Sequence, residues 1–344
     1  MRHMVPWAGT VFVGTYSGGV AGFRVADGAL VQLERVFGSA AHSASVRCLG
    51  AVSEVSAGGR CTYLASGGAD EVVHVYDVTQ QRHVGALAYH EGSITALAFG
   101  QLEDRLYLLS AAAGKSAEVA VWRSGSGASR QPWQMVAVLR GHKGTVDSIA
   151  VAPNGALALS VGDDNTLRLW DMRAALDVPG PHRCRLQVRL AEVAAAVRWS
   201  PGGDRYLVAA RDYVELYQLA GAGATDAVRV PVGSPVASAE FVGEEEGQAC
   251  RVLVACADGH VVLVTVQGGK HSVERVNLFS EEHRGARRLR GVGCVGEADG
   301  RLWAVGATAN QLHLVAFPVG EGGGAGGVQS LVTGHRVTCC VVVR

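Results

Sequence analysis

The chain has 344 residues, and several things are scarce in it. Lysine occurs only at Lys115, Lys143 and Lys270, and 31 basic residues balance 31 acidic ones. With zero net charge, binding to nucleic acid through the overall field alone is not expected. No stretch approaches the ~18 consecutive apolar residues of a membrane-crossing helix. Met1 to Thr10 lacks the apolar core of a secretory signal. Membrane attachment is therefore not expected. The eight cysteines form no C-x-x-C pair, which argues against a zinc site and for free buried thiols in a reducing compartment. No G-x-S-x-G, H-E-x-x-H or dinucleotide-type glycine motif occurs in a suitable setting. Gly114-Lys115-Ser116 has the end of a phosphate-binding loop, but Leu109 stands where its first glycine belongs, so it reads as a turn. Neither a cofactor nor an enzymatic activity is expected.

Glycine, by contrast, is abundant at 46 residues, about 13% against a usual ~7%. Apolar residues make up 48% and charged residues 18%, enough for a real core. A valine-rich, glycine-rich chain with only nine prolines points to many short strands joined by tight turns.

Those strands repeat. Gly141-His142-Lys143-Gly144-Thr145-Val146 is followed by Leu159-Ser160-Val161-Gly162-Asp163-Asp164 and then by Leu169-Trp170-Asp171. A second copy runs from His42 through Ser66 and Asp70 to Tyr76-Asp77, and a third from His90 through Ser110 to Trp122. Glycine-histidine followed by tryptophan-aspartate resembles the WD-repeat family, whose fold is a β-propeller of four-stranded blades. First strands are expected near Val46, Ile94, Val146, Ala194, Val236, Leu289 and Val337. Second strands are expected near Val11, Cys61, Arg105, Ala156, Arg205, Arg251 and Arg301. That gives an all-β, seven-bladed propeller using residues 1–344 as one domain. The chain begins on a second strand and ends on a first strand, so pairing Val337–Val343 with Val11–Thr15 would close the ring and remove two open edges.

The resemblance implies that His142, Ser160, Asp164 and Trp170 form a structural hydrogen-bond set within their blade, with His42, Ser66 and Asp70 in the same roles in the second copy. The third copy has no aspartate in its turn, and Asp212 and Asp258 sit in turns without a preceding histidine. Other candidates are plainer. Cys339 and Cys340 lie near His335 but on alternating faces of the last strand, so they read as packing. Glu244–Glu246 reads as a solvated acidic loop or an electrostatic docking point. Arg284, Arg287, Arg288 and Arg290 cluster at the start of the seventh blade, either as a solvated loop or as a contact for RNA phosphate or an acidic protein.

A finer likeness is carried by Val13-Gly14-Thr15-Tyr16-Ser17-Gly18-Gly19 and Tyr63-Leu64-Ala65-Ser66-Gly67-Gly68-Ala69-Asp70-Glu71-Val72. It extends through His90-Glu91-Gly92-Ser93-Ile94-Thr95 to Val197-Arg198-Trp199-Ser200-Pro201. Across roughly residues 10–219 the chain resembles the PAK-interacting-protein-like family, eukaryotic WD-repeat factors implicated in large-ribosomal-subunit assembly. The resemblance implies a non-catalytic scaffold in the nucleolus or nucleus, and also in the cytoplasm. Its partners would be proteins of the pre-ribosomal particle, with rRNA as a secondary contact, and the protein would act as a monomer within that larger complex. The alternative it implies is an adaptor that restrains a p21-activated-type kinase; a ubiquitin-ligase receptor is a third reading. By alignment, the residue after the leading apolar position of each first strand falls at one mouth of the propeller. Those residues are Arg47, Thr95, Asp147, Ala195, Ala237, Arg290 and Thr338. Arg47, Asp147 and Arg290 are the candidate partner anchors.

Overall fold

The computed structural model describes residues 10–25, 33–56, 59–114, 117–125, 133–178, 180–220, 223–224, 227–242, 249–278, 288–298, 301–318, 328–333 and 336–343. Most of them are in strands, arranged in seven sheets. Blade 1 orders Val337–Val343, Thr10–Thr15, Gly19–Val25 and Leu33–Ala40. Blade 2 orders Val46–Ser56, Gly59–Gly68, Val72–Asp77 and Arg82–Ala88. Blade 3 orders Ile94–Leu102, Arg105–Ala112, Val119–Arg123 and Gln134–Arg140. Blade 4 orders Val146–Val151, Leu157–Gly162, Thr166–Asp171 and Leu186–Arg189. Blade 5 is built on Ala196–Trp199, Arg205–Ala209, Tyr213–Ala220 and Val228–Pro231. Blade 6 orders Val236–Phe241, Cys250–Cys256, His260–Gln267 and Lys270–Asn277. Blade 7 orders Gly291–Ala298, Arg301–Ala307, Gln311–Pro318 and Val328–Val332. The chain is a seven-bladed β-propeller, and every first and second strand starts within two residues of its expected position.

The two ends of the chain share blade 1. Val337–Val343 pairs antiparallel with Thr10–Thr15, placing Val11 against Val342 and Val13 against Cys340. Two strands that would each expose a row of unpaired amides are thereby satisfied.

The described residues fall into two compact units. One holds residues 1–46 and 234–344, the other residues 47–233. In the first, Val11, Val13, Phe23, Val305, Leu312 and Val337 share one apolar cluster, while Leu253, Leu263, Leu302 and Phe317 share another. In the second, Leu109, Val121, Leu139, Val146 and Trp170 pack together. Second strands are largely apolar because both of their faces are covered: residues 106–112 and 252–256 are buried throughout. Fourth strands such as Lys270–Asn277 are largely exposed and correspondingly polar. Each fully buried Leu or Val contributes roughly 1.5–3 kcal/mol of transfer free energy.

One element lies outside the sequence expectation. After blade 4's third strand the chain forms a short helix, Met172–Asp177, capped by the Asp171 carboxylate, which accepts from the Ala174 N–H. Met172, Ala175 and Leu176 enter the blade 3–blade 4 core. Gly180–Arg183 then runs parallel to Gln134–Arg140 as a fifth strand on blade 3. Arg105 to Asp177 at 2.6 Å and Arg173 to Glu103 at 3.4 Å tie the helix to blade 3.

Candidate functional site

Blade 4 assembles its predicted set. Trp170 Nε1 donates to Ser160 Oγ at 2.9 Å, and Ser160 Oγ lies 2.7 Å from His142 Nε2. His142 Nδ1 lies 3.1 Å from both Asp164 oxygens. The bonding directions follow from the donors available. The indole can only donate, so the serine hydroxyl accepts from it and donates its own O–H to Nε2, and Nδ1–H donates to the carboxylate. Burial lowers the His142 pKa despite the neighbouring carboxylate, so the ring is neutral near pH 7. Burial works against the Asp164 carboxylate. The Lys143 N–H, the Thr166 hydroxyl and His142 outweigh it and hold its pKa below the usual value. The Thr166 N–H and hydroxyl donate to Oδ1 at 3.0 and 2.7 Å, and the Lys143 N–H donates to Oδ2 at 2.9 Å. Asn165 takes the left-handed turn between the strands at φ +56. A buried Arg168 donates through Nε to Thr166 Oγ1 at 3.3 Å.

Blade 3 repeats the inner half: Trp122 Nε1 donates to Ser110 Oγ at 2.8 Å, and His90 Nε2 lies 2.8 Å from the same oxygen. Burial pushes His90 down to about 4. The missing turn aspartate has a partial replacement. Glu118, just before the third strand, acts electrostatically on His90 while accepting from Tyr89 Oη at 2.7 Å and pairing with Arg140 at 2.8 Å. The repeat pattern calls for an aspartate in this turn, so the glutamate gave no signal in the sequence. In blade 2, Ser66 Oγ donates to Tyr76 Oη at 3.3 Å, Asp70 sits half-buried in its turn, and His42 is buried. In the later blades other groups replace this set. In blade 5, Glu215 accepts from Tyr217 at 2.9 Å and from Arg229, whose guanidinium also covers the Tyr213 ring at 4.2 Å.

One candidate anchor, Asp147, shares with three other first-strand residues a backbone feature that the sequence did not reveal. In four blades the register skips the second residue of the first strand: Thr338, Thr95, Asp147 and Ala237. Each is a β-bulge, which bends the strand and re-aims the side chain. Thr338 donates to the Val46 carbonyl at 2.5 Å, and Thr95 to the Val146 carbonyl at 2.6 Å, so these two hydroxyls are used within the fold. Asp147 is half-buried. Burial, helped by the nearby Asp163 and Asp164, pushes its carboxyl up to about 6. Arg47, Arg288 and Arg290 are exposed. Arg284, Arg287, Lys115, Glu244–Glu246 and His335 lie outside the described residues. Cys339 and Cys340 have different neighbours: a Cβ at Gly14 would meet the Cys339 sulfur at 2.8 Å, one at Gly291 the Cys340 sulfur at 2.7 Å. Among the described residues no helix is long and apolar enough to cross a membrane.

Seven blades built on four strands each, one of them with a complete His–Ser–Trp–Asp set, define a WD-repeat β-propeller. Residues 133–171 match the family described as WD domain, G-beta repeat. Within that class the chain resembles the PAK-interacting-protein-like proteins. It is 34% identical over 208 residues to the p21-activated protein kinase-interacting protein 1-like of Danio rerio, covering 60% of this chain and 49% of that protein. It is 31% identical over 198 residues to Protein MAK11 of Saccharomyces cerevisiae, covering 53% and 43% respectively. A shorter stretch of 79 residues is 38% identical to the Ribosome biogenesis protein erb1 of Emericella nidulans, covering 23% and 9%. The chain spans about half the length of the first two relatives.

Proposed function

We propose that the protein is a non-catalytic docking platform in large-ribosomal-subunit assembly, working in the nucleolus or nucleus and also in the cytoplasm. The observation that carries the non-catalytic part is the blade 4 set. Its histidine, serine and aspartate, the residue types of a hydrolytic triad, bond to one another, to an indole and to backbone N–H groups inside the blade. Their role is to fix the blade, and residues at the starts of the first strands are left to meet partners. The ribosomal part rests on the family resemblance and on the printed name of the erb1 relative. Arg47, Asp147 and Arg290 are the proposed anchors, with Arg284, Arg287 and Arg288 as an accessory basic surface that touches a protein partner or rRNA. The chain is read as one domain, which a single calorimetric unfolding transition would support and two separated transitions would refute.

A second reading, an adaptor that restrains a p21-activated-type kinase, is favoured by the printed names of the vertebrate relatives. Affinity purification from cell extract, followed by gradient sedimentation with mass spectrometry of each fraction, separates the two. Co-migration with large-subunit precursors supports the first. Retention at the top of the gradient with a kinase overturns it in favour of the second.

A further inference from the structure

Tyr16 is the most exposed of the large apolar side chains in the described structure, at 61%. Yet the turn that carries it is braced by hydrogen bonds. Its N–H donates to the Arg336 carbonyl at 2.8 Å. The Thr15 hydroxyl accepts from the Gly19 N–H at 2.9 Å and lies 3.2 Å from Ser17 Oγ. Gly18 adopts φ +82, and a Cβ there would collide with the His42 carbonyl, so only glycine fits. The Arg336 guanidinium lies 4.9 Å from the centre of the Tyr16 ring and is itself exposed. A rigid turn that holds an aromatic ring and a guanidinium together in solvent has the composition and preorganisation of an interaction hot spot.

The surroundings set the charge of what would bind. Arg336 immediately precedes Val337, and Arg290 immediately precedes Gly291, at the same end of two first strands that touch through Gly291 and Cys340. Arg288 is exposed two residues earlier. In blade 6 of the same unit, the turn carboxylate of Asp258 is engaged by His260 at 3.1 Å. Arginines at the same end of two neighbouring first strands, one of them over the tyrosine ring, suit carboxylates, which guanidinium groups take in bidentate fashion. An RNA strand would need a basic track along several nucleotides, whereas these arginines cluster at one end of two strands and the chain has zero net charge.

We propose that Tyr16 and Arg336, with the exposed Arg288 ahead of the neighbouring first strand, dock an acidic segment of a protein partner that carries an apolar side chain between its carboxylates. This rests on the docking-platform reading and names the chemistry of one partner. The test is fluorescence anisotropy of the full chain with a labelled peptide of repeated Asp-Leu-Glu, the same peptide with Asn and Gln in place of the acids, and an oligouridine of equal length. The acidic peptide is expected to bind, and to weaken as salt rises. Tyr16→Ala and Arg336→Gln should each weaken it by about tenfold or more, Tyr16→Phe should retain it, and all three variants should melt with the wild type. Absence of binding, equal binding by Tyr16→Ala, or preference for the neutral peptide or the oligouridine would overturn the proposal. Its failure is separable from that of the assembly reading. Co-sedimentation with precursors while Tyr16→Ala leaves peptide binding intact sinks only this inference; Tyr16-dependent binding without co-sedimentation sinks only the other.

Discussion

Blades 4 and 6 solve the same problem with different chemistry. Blade 4 ties its strands together with Trp170, Ser160, His142 and Asp164. Blade 6 has no histidine before its first strand, and its second and third strands are instead a slab of Val252, Leu253, Val254, Ala255, Val261, Val262, Leu263 and Val264, all buried. A satisfied polar network specifies one packing; a branched apolar slab supplies more transfer free energy with less directional information. The comparison explains why the repeat-family match, residues 133–171, holds the bond chain of blade 4 while the later blades diverge: apolar strands can be exchanged among valine, leucine and isoleucine, whereas a four-member bond chain cannot.

The comparison can be broken most severely at the closing strand. Removing Val337–Val343 strips blade 1 of the partner of Thr10–Thr15 and is expected to abolish cooperative folding, read as loss of the thermal transition or as aggregation. A soluble product with unchanged melting would contradict the pairing. Next, Leu253→Ala in the apolar blade should cost ~2–5 kcal/mol in denaturant unfolding through lost contacts and a cavity. Asp164→Ala in the networked blade should cost ~1–3 kcal/mol, because it strands donors from His142, Lys143 and Thr166. A double-mutant cycle sharpens this. Asp164 and Ser160 should show strong coupling through His142, whereas Asp164 and Leu253 should be additive.

A smaller effect separates the anchor at Asp147 from the network beneath it. Burial pushes its carboxyl up to about 6, above the ordinary aspartate range, so the folded state resists ionisation. The resulting cost is present above pH 6, shrinks as pH falls from about 6 to 4, and is absent below. Asp147→Asn should therefore raise Tm at pH 7 and leave it unchanged at pH 4. An equal gain at both values would mean that the carboxyl is not strained.

Much of this architecture is legible in the sequence. The seven first and second strands could be placed because apolar runs alternate with glycine-containing turns, and blade 4 because each member of its network occupies a fixed spacing. What could not be read depends on contacts between distant residues. The bulges at Thr95 and Asp147 exist only in the register against the neighbouring strand. The role of Glu118 depends on Tyr89 and Arg140 converging on it from elsewhere in blade 3. The helix Met172–Asp177 and the parallel strand Gly180–Arg183 sit in a stretch rich in arginine and proline, where apolar periodicity is weak and tertiary packing decides. Tyr16 was visible as part of a motif, but its exposure and its guanidinium neighbour were not.

The central claim is that the residues that hold the blades and the residues that meet partners are different sets. The measurement that tests it most directly is gradient sedimentation and melting of Arg47→Glu with Arg290→Glu, alongside Asp164→Ala. The account predicts that the double charge reversal keeps the wild-type Tm and leaves the large-subunit precursor fractions, while Asp164→Ala lowers Tm and its folded fraction stays with them. Unaltered co-migration of the charge-reversed protein, or a fall in its Tm matching that of Asp164→Ala, would contradict the account.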